Sequence, residues 1–90
     1  MKPIIPDFDN ASGSPLYIQL YNYLKKEITE GRISKGEKLP SLRTLARNLS
    51  ISITTVEMAY NQLLVEGYVK SKPQSGYYTT SINAESKSKP

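Results

Sequence analysis

The stretch LPSLRTLARNLSISITTVEMAYNQLLVEG, residues 39–67, decides the fold because it predicts two helices joined by a tight turn. The first of these helices starts at Ser41, directly after Pro40. The turn covers residues 48–51, because Ser52 already has the short hydroxyl side chain that caps a following helix. Apolar residues in the first helix recur at i, i+3, i+4 and i+7, the spacing of one helix face, at Leu42, Leu45, Ala46 and Leu49.

The second helix of the stretch runs from Ile53 to about Glu66 and ends at Gly67, a residue type that commonly closes helices. Apolar spacing predicts its inward face, which comprises Val56, Ala59, Tyr60, Leu63 and Leu64. Upstream, Leu16, Leu20, Leu24 and Ile28 recur at i+4 and predict another helix. Its predicted termini are Ser14 as the cap, Pro15 at the first helical position and Gly31 as the stop.

The spacing of apolar residues changes from 3.6 to 2 after Gly67. Residues 68–72 and 76–80 are rich in β-prone residues and flank a turn that contains Pro73. Residues 32–40 show no regular pattern and are predicted to be irregular. The sequence therefore predicts a mainly α fold with a small β-hairpin, which is a winged helix-turn-helix of three helices plus a two-stranded wing.

Composition divides the 90 residues into one small domain with two flanking segments. Residues 1–13 predict an N-terminal arm whose Ile4, Ile5 and Phe8 pack on the body, and residues 83–90 predict a linker or disordered tail. The domain between them, residues 14–82, holds nine basic and five acidic residues. The whole net charge of +4 therefore resides in the predicted globular part, which favours a polyanionic partner.

Residue types that are absent exclude several functions. The chain has no Cys and no His, which excludes zinc sites of the usual kind, thiol catalysis and a Ser-His triad. The acidic residues are scattered rather than paired, so the sequence predicts no enzyme and no metal site. No apolar run has the length of a membrane span or of a signal peptide, and we expect a cytoplasmic protein without a membrane partner.

Several separated pieces of the sequence resemble the GntR-type winged-helix transcription regulators. They agree in order and spacing and lie between Pro15 and about Thr80: Pro15-Leu16-Tyr17, Gly36, Leu39-Pro40-Ser41, Arg43, Leu45-Ala46, Thr55-Val56, Ala59-Tyr60, Leu63, Glu66-Gly67-Tyr68 and Gly76. Residues 59–64, Glu66-Gly67-Tyr68 and Ser75-Gly76-Tyr77-Tyr78 resemble the MocR branch most closely. The resemblance implies a double-stranded DNA operator as partner and, on DNA, a possible homodimer.

The resemblance also bears on cofactors and on charge. In the MocR branch a large aminotransferase-like domain that binds pyridoxal phosphate follows the DNA-binding domain. We therefore expect no cofactor in this chain, and pyridoxal phosphate only if such a domain exists in a longer protein. The sequence departs from the family at Ile53 and Glu57, where relatives often have Arg, and at Gln74, where Gly or Arg is common.

A helix-turn-helix places the start of its second helix in the major groove of DNA, and here that unit spans Leu42 to Asn61. Ser52, Thr54 and Thr55 lie at this start, where hydroxyl groups can bond phosphates or base edges and threonine methyls can contact thymine. The alternative is that the two threonines are ordinary solvated helix residues. Glu57, Met58 and Asn61 are predicted to point outward or sideways as well.

Two further groups complete the predicted DNA-binding residues. Ser41 is expected to cap its helix and contact a phosphate, while Arg43 clamps a phosphate or contacts guanine. For Arg43 the alternative is a surface salt bridge with Glu37. The wing tip is expected to reach the minor groove or its flanking phosphates through Lys72, Gln74 and Ser75, with Gly76 serving backbone geometry. For the chain as a whole, the alternative function is a winged-helix module for protein interaction without specific DNA binding.

Overall fold

Three helices and one antiparallel hairpin follow one another in the order that the sequence predicts. The computed structural model describes residues 4, 6–9 and 13–80 of the chain. The mainly α fold with a two-stranded wing is confirmed. Its elements are α1 (Leu16–Thr29), α2 (Leu42–Leu49), α3 (Ile53–Glu66), β1 (Val69–Lys72) and β2 (Gly76–Thr79).

Serine side chains cap both helices of the central pair, as predicted. The Ser41 hydroxyl accepts a hydrogen bond from the backbone N–H of Thr44 at 3.1 Å. The Ser52 hydroxyl accepts one from the backbone N–H of Thr55 at 3.0 Å. Each bond satisfies a first-turn amide that has no partner within its own helix. At its other end α3 stops at Gly67, whose φ of +87° lies in the left-handed region that glycine adopts without strain.

The start of α1 differs from the prediction by one residue. Pro15 is the N-cap with a ψ of 151°, and no side chain caps the helix, so the prediction of Ser14 as the cap is wrong. The Pro15 carbonyl oxygen begins the helix because it accepts from the N–H groups of Ile18 and Gln19. Ser14 lies one residue too early to reach the first turn. Its carbonyl oxygen instead accepts a hydrogen bond from the Gln19 side chain at 2.9 Å.

The hydrophobic core lies where α1 and α2 pack against α3. Its fully buried apolar side chains come from all three helices, and each buried leucine contributes about 1.5–3 kcal/mol relative to an exposed one. They include Leu20, Leu24, Leu45, Val56, Ala59 and Leu63. The predicted inward face of α3 is thereby confirmed, with Leu64 packed at the edge of the core. Within the described ranges, no helix combines the length and apolar character that a membrane crossing requires.

A polar cluster joins α1 to the end of α3. The Tyr21 hydroxyl donates a hydrogen bond to a carboxylate oxygen of Glu66, and the Gln62 amide donates to the other oxygen at 2.7 Å. These hydrogen bonds lower the pKa of Glu66 because they stabilise its ionised form. The ammonium group of Lys25 lies 5.6 and 5.5 Å from the ring centroids of Tyr21 and Tyr68. The cluster therefore extends from α1 to the residue that precedes β1.

Residues 36–39, here called the bridge segment, pair with β2, although the sequence predicts irregular structure over residues 32–40. Lys38 and Tyr78 form an antiparallel bridge. On its other edge β2 pairs with β1, so β2 is bonded along both edges. Three backbone hydrogen bonds of 2.8–3.0 Å join the bridge segment to β2, from Leu39 to Tyr77, from Thr79 to Glu37 and from Gly36 to Thr79.

The side chain of Thr79 reinforces this pairing. Thr79 is buried, and its hydroxyl donates to the carbonyl oxygen of Ser34 at 2.5 Å while it accepts from the backbone N–H of Glu37 at 3.0 Å. A buried hydroxyl without partners would destabilise the fold, because it loses its hydrogen bonds to water. Thr79 therefore fixes the loop before α2 to the wing.

The N-terminal arm packs on the body at the positions that the structure describes. Ile4 is part of the core and Phe8 packs against it. The Asp9 N–H donates to the Gln19 amide oxygen at 2.7 Å, and the Gln19 amide nitrogen donates to the Asp9 carbonyl at 3.1 Å. Ile5 and the predicted tail, residues 83–90, lie outside the described residues. The boundaries at residues 14 and 82 stay predictions.

Tyr60 of α3 connects the elements that surround it. Its side chain has no solvent exposure, and burial raises the pKa of its hydroxyl far above the ordinary value. The hydroxyl donates to the carbonyl oxygen of Pro40, just before α2, at 2.8 Å. The ring meets Tyr77 of β2 edge to face, with centroids 4.9 Å apart. One side chain thus positions the start of α2 and the wing relative to α3.

We expect Tyr60→Phe to lower the free energy of unfolding by about 1 kcal/mol, because the Pro40 carbonyl oxygen loses its donor. Urea denaturation followed by circular dichroism measures this difference. Tyr17→Phe is the matched control, since the Tyr17 hydroxyl has no hydrogen-bond partner among the described residues. Equal stability of the two variants would contradict the structural role of the Tyr60 hydroxyl.

Candidate nucleic-acid interface

A short turn fixes the angle between α2 and α3. Ser50 adopts a left-handed conformation with φ of +58° and closes α2 through its N–H, which donates to the Arg47 carbonyl at 3.3 Å. The next N–H, from Ile51, donates to the Ala46 carbonyl at 3.0 Å. Ser52 then caps α3. The helix-turn-helix predicted from Leu42 to Asn61 is therefore present, with its second helix starting directly after the turn.

The outward face of α3 is uncovered in the described structure. Thr54, Glu57, Met58 and Asn61 are exposed, as predicted, and Thr55 is half-buried. Met58 is 42% exposed and adds an apolar side chain to this face. None of these exposed side chains belongs to the hydrophobic core or packs against it. They are therefore available for contact with a binding partner.

The hydroxyl groups at the start of α3 are not equally available. Those of Ser52 and Thr55 lie 2.8 Å apart and share a hydrogen bond, while Ser52 also caps the helix. The Thr54 hydroxyl has no hydrogen-bond partner among the described residues. Of the three predicted site residues here, Thr54 has a free hydroxyl donor, whereas Ser52 and Thr55 take part in the cap of α3. The sequence predicted this capping role for Ser52 but not for Thr55.

The entrance to α2 combines a cap with an unpaired cation. The Ser41 hydroxyl donates to the Thr44 hydroxyl at 2.9 Å in addition to its capping bond. Arg43 is exposed and takes part in no ion pair within the described chain. No ion pair joins Arg43 to Glu37 within the described residues, and a Glu37 carboxylate oxygen accepts from the backbone N–H of Ser34 at 2.9 Å. The Arg43 guanidinium remains available to an anion.

The tip of the wing is a tight turn closed by the Ser75 N–H, which donates to the Lys72 carbonyl at 3.0 Å. Gln74 has a φ of +64° and Gly76 a φ of +122°. The prediction that Gly76 serves backbone geometry is confirmed. The Lys72 ammonium lies 4.7 Å from the ring centroid of Tyr78, a cation–π contact that holds the lysine against the strand.

The predicted site residues form three groups, at the entrance of α2, at the start of α3 and at the wing tip. Hydrogen bonds join Ser52 to Thr55 in the second group and Ser75 to Lys72 in the third, whereas Ser41 in the first is bonded to its neighbour Thr44. Tyr60 connects the groups through the core by its contacts with Pro40 and Tyr77. Lys38 is not among the predicted site residues, although it pairs with Tyr78 beside the wing tip. No local pattern marks its position on the sheet, because that position depends on pairing with residue 78, far along the chain.

The fold and these three groups define a winged helix-turn-helix domain of the DNA-binding type. The sequence pattern of the bacterial regulatory proteins, gntR family, matches residues 16–78. The chain belongs to this family and is the DNA-binding domain of a GntR-family transcription regulator. The predicted family is confirmed.

Relatives and solved structures agree with this assignment. The uncharacterized HTH-type transcriptional regulator YdeL of Bacillus subtilis is 56% identical over 75 residues, 83% of this chain and 16% of its own length. The probable rhizopine catabolism regulatory protein MocR of Rhizobium meliloti is 35% identical over 82% of this chain and 15% of its own length. The structure of YtrA from Sulfolobus acidocaldarius, a GntR-family transcription factor, is similar with a TM-score of 0.81 and 35% identity, covering 86% of this chain and 81% of YtrA.

We expect Ser52→Ala to lower the free energy of unfolding by about 1 kcal/mol, because the first turn of α3 loses its cap. Thr54→Ala, on the same turn but without a described hydrogen bond, is expected to change it by less than about 0.5 kcal/mol. Thermal unfolding of both variants measures the difference. A destabilised Thr54→Ala beside an unchanged Ser52→Ala would refute the assignment of the cap.

Proposed function

We propose that this domain binds an operator with residues 52–61, the start of α3, in the major groove and the wing tip on the flanking minor groove or backbone. The observation that supports this most is the uncovered face of α3 next to the unpaired Arg43. A helix in this position within a helix-turn-helix fits the major groove of duplex DNA.

Base recognition in this proposal depends on short polar and apolar side chains of α3. Thr54 offers a free hydroxyl and a methyl group, and Asn61 offers an amide that matches the edge of adenine. Ser52 and Thr55 contribute through lone pairs that remain after capping. Because Ile53 and Glu57 bring no positive charge, this helix attracts the phosphate backbone weakly.

Charge-assisted contacts then come from the other two groups. The start of α2 directs backbone N–H groups outward, and these suit a phosphate, to which the Ser41 hydroxyl donates once it turns its proton away from Thr44. Arg43 adds a guanidinium that forms paired hydrogen bonds with a phosphate or a guanine. At the wing, Lys72 contacts phosphate while Gln74 and Ser75 reach the groove.

We expect Arg43→Ala to weaken binding to a selected operator by about 1–3 kcal/mol if Arg43 contacts a base, with loss of preference over a scrambled duplex. If it contacts phosphate, binding weakens equally for both duplexes and the salt slope falls by about one unit. Arg43→Lys separates these cases, because lysine keeps the charge but not the paired donors.

The measurement is fluorescence anisotropy at several salt concentrations, with an operator that the chain itself selects from a random pool of duplexes. Lys26→Ala is the control, since Lys26 is an exposed lysine of α1 outside the three groups. An Arg43→Ala variant with the parent's affinity and salt slope would show that this face does not bind DNA.

We expect Ile53→Arg to tighten binding to all duplexes and to raise the salt slope by about one unit, because it adds one phosphate contact at the start of α3. Ile53 is 40% exposed, so the substitution leaves the core intact. Ile53→Gln is the neutral control, and the same anisotropy series measures both variants. An unchanged slope for Ile53→Arg would place residue 53 away from the DNA backbone.

The assembly and the remaining parts of the regulator are proposed as well. The chain spans less than a fifth of the length of YdeL and MocR. We propose that two copies bind as a homodimer in the cytoplasm, with half-sites about one helical turn or a multiple of it apart. Pyridoxal phosphate belongs to this proposal only for a MocR-type C-terminal domain in a longer protein.

A further inference from the structure

Three lysines lie beside Tyr78 on the outer face of the wing. Lys70 of β1 pairs with Tyr78 of β2, and Lys38 of the bridge segment pairs with the same tyrosine from the other side. Paired residues of neighbouring strands have their side chains on one face of a sheet. Lys72, two residues beyond Lys70, lies on that face too and pairs with Gly76. We call Lys38, Lys70, Lys72 and Tyr78 the lysine face.

Two contacts direct this face toward the wing tip. The Lys72 ammonium lies 4.7 Å from the centroid of the Tyr78 ring. The Cε atom of Lys38 lies 3.3 Å from the place where a Cβ atom of residue 76 would stand, so the stem of Lys38 crosses Gly76. Lys38 and Lys72 therefore flank Gly76, the first residue of β2 after the turn.

Acidic side chains do not neutralise the lysine face in the described part of the chain. All three lysines are exposed and none takes part in an ion pair there. The nearest acid in sequence, Glu37, turns a carboxylate oxygen to the backbone N–H of Ser34. The opposite face of the sheet is occupied by the core, where Val69 and Thr79 are buried.

We propose that the lysine face binds the phosphate backbone of the DNA that flanks the operator, beyond the bases next to α3 and the wing tip. The proposal rests on the proposed function of the domain. Lysine ammonium groups contact phosphates as point charges and do not read bases. Lys70 and Lys72 lie about 6.6–7 Å apart along their strand, a spacing at which each can meet its own phosphate.

Continuity with the wing tip favours DNA over an acidic protein as the partner. Lys72 belongs both to the lysine face and to the proposed wing contact, and a duplex that meets the tip continues past it. Strand pairing fixes Lys38 and Lys70 beside this path. Because strand pairing fixes the backbone of the three lysines, their ammonium groups can meet a regular row of phosphates without any rearrangement of the sheet.

The test compares two double variants on two duplexes. Lys38→Gln with Lys70→Gln removes two charges from the lysine face, and glutamine retains much of the stem that crosses Gly76. Lys26→Gln with Lys35→Gln is the matched control, because it removes the same charge from exposed lysines of α1 and a loop. The short duplex contains the selected operator alone, and the long one adds about 10 base pairs of arbitrary sequence on each side.

On the long duplex we expect the lysine-face variant to lose about two units of salt slope, and affinity on the order of tenfold at 0.1 M salt. On the short duplex it is expected to bind as the parent does. The control variant is expected to keep the parent's slope on both. Circular dichroism confirms that all variants are folded.

Three results would overturn the inference. The first is an equal loss for both double variants on the long duplex, and the second is an equal loss for the lysine-face variant on both duplexes. The third is binding of poly-glutamate that the lysine-face substitutions abolish while DNA binding stays unchanged, which assigns the face to an acidic protein. The Arg43→Ala variant on the short duplex tests the proposed function separately, since that duplex does not involve the lysine face.

Discussion

A hydroxyl group that folding removes from water needs a hydrogen-bond acceptor inside the protein. In this domain that requirement fixes the position of the Tyr60 side chain. The acceptor is the Pro40 carbonyl oxygen, which belongs to the chain just before α2. The same ring packs against Tyr77 in the wing. Beside the turn at Ser50 and the bridge segment, this one residue therefore supports the angle between the two helices and the position of the hairpin. The buried contacts of Tyr60 therefore help to position the exposed polar groups at the start of α2 and on the wing.

Local chemistry made most of the fold predictable. Ser41, Ser52 and Gly67 mark helix ends through interactions within one turn, and the sequence therefore located α2 and α3 well. The prediction of Ser14 as the cap of α1 was wrong because Pro15, in an extended conformation, is the N-cap. The bridge segment had no local signal, since residues far along the chain in β2 complete its hydrogen bonds. Likewise, the sequence predicted the three groups of the site but not which of their hydroxyl groups are engaged in hydrogen bonds at the helix caps.

Charge and recognition are separated in this domain. The face of α3 presents hydroxyl, amide and apolar groups beside the Glu57 carboxylate, whereas the exposed cations of the proposed DNA surface lie at the entrance of α2 and on the sheet. Phosphate contacts supply affinity that depends little on sequence, and contacts to base edges supply discrimination. In the proposed complex α3, which has no Lys or Arg, adds little to binding at random sites. Ile53 and Glu57 in place of arginine therefore lower the total affinity and raise the selectivity for the operator.

The pairing of β2 along both edges has a consequence for the DNA. An isolated two-stranded hairpin is marginally stable in water, but the bridge segment and Tyr60 hold this one fixed relative to α3. A rigid wing does not adapt to the width of the groove that it meets. In the proposed complex the duplex therefore bends or opens to fit the wing, at an energy that varies with base sequence. Steps that deform easily then favour one operator over another at positions that no side chain touches.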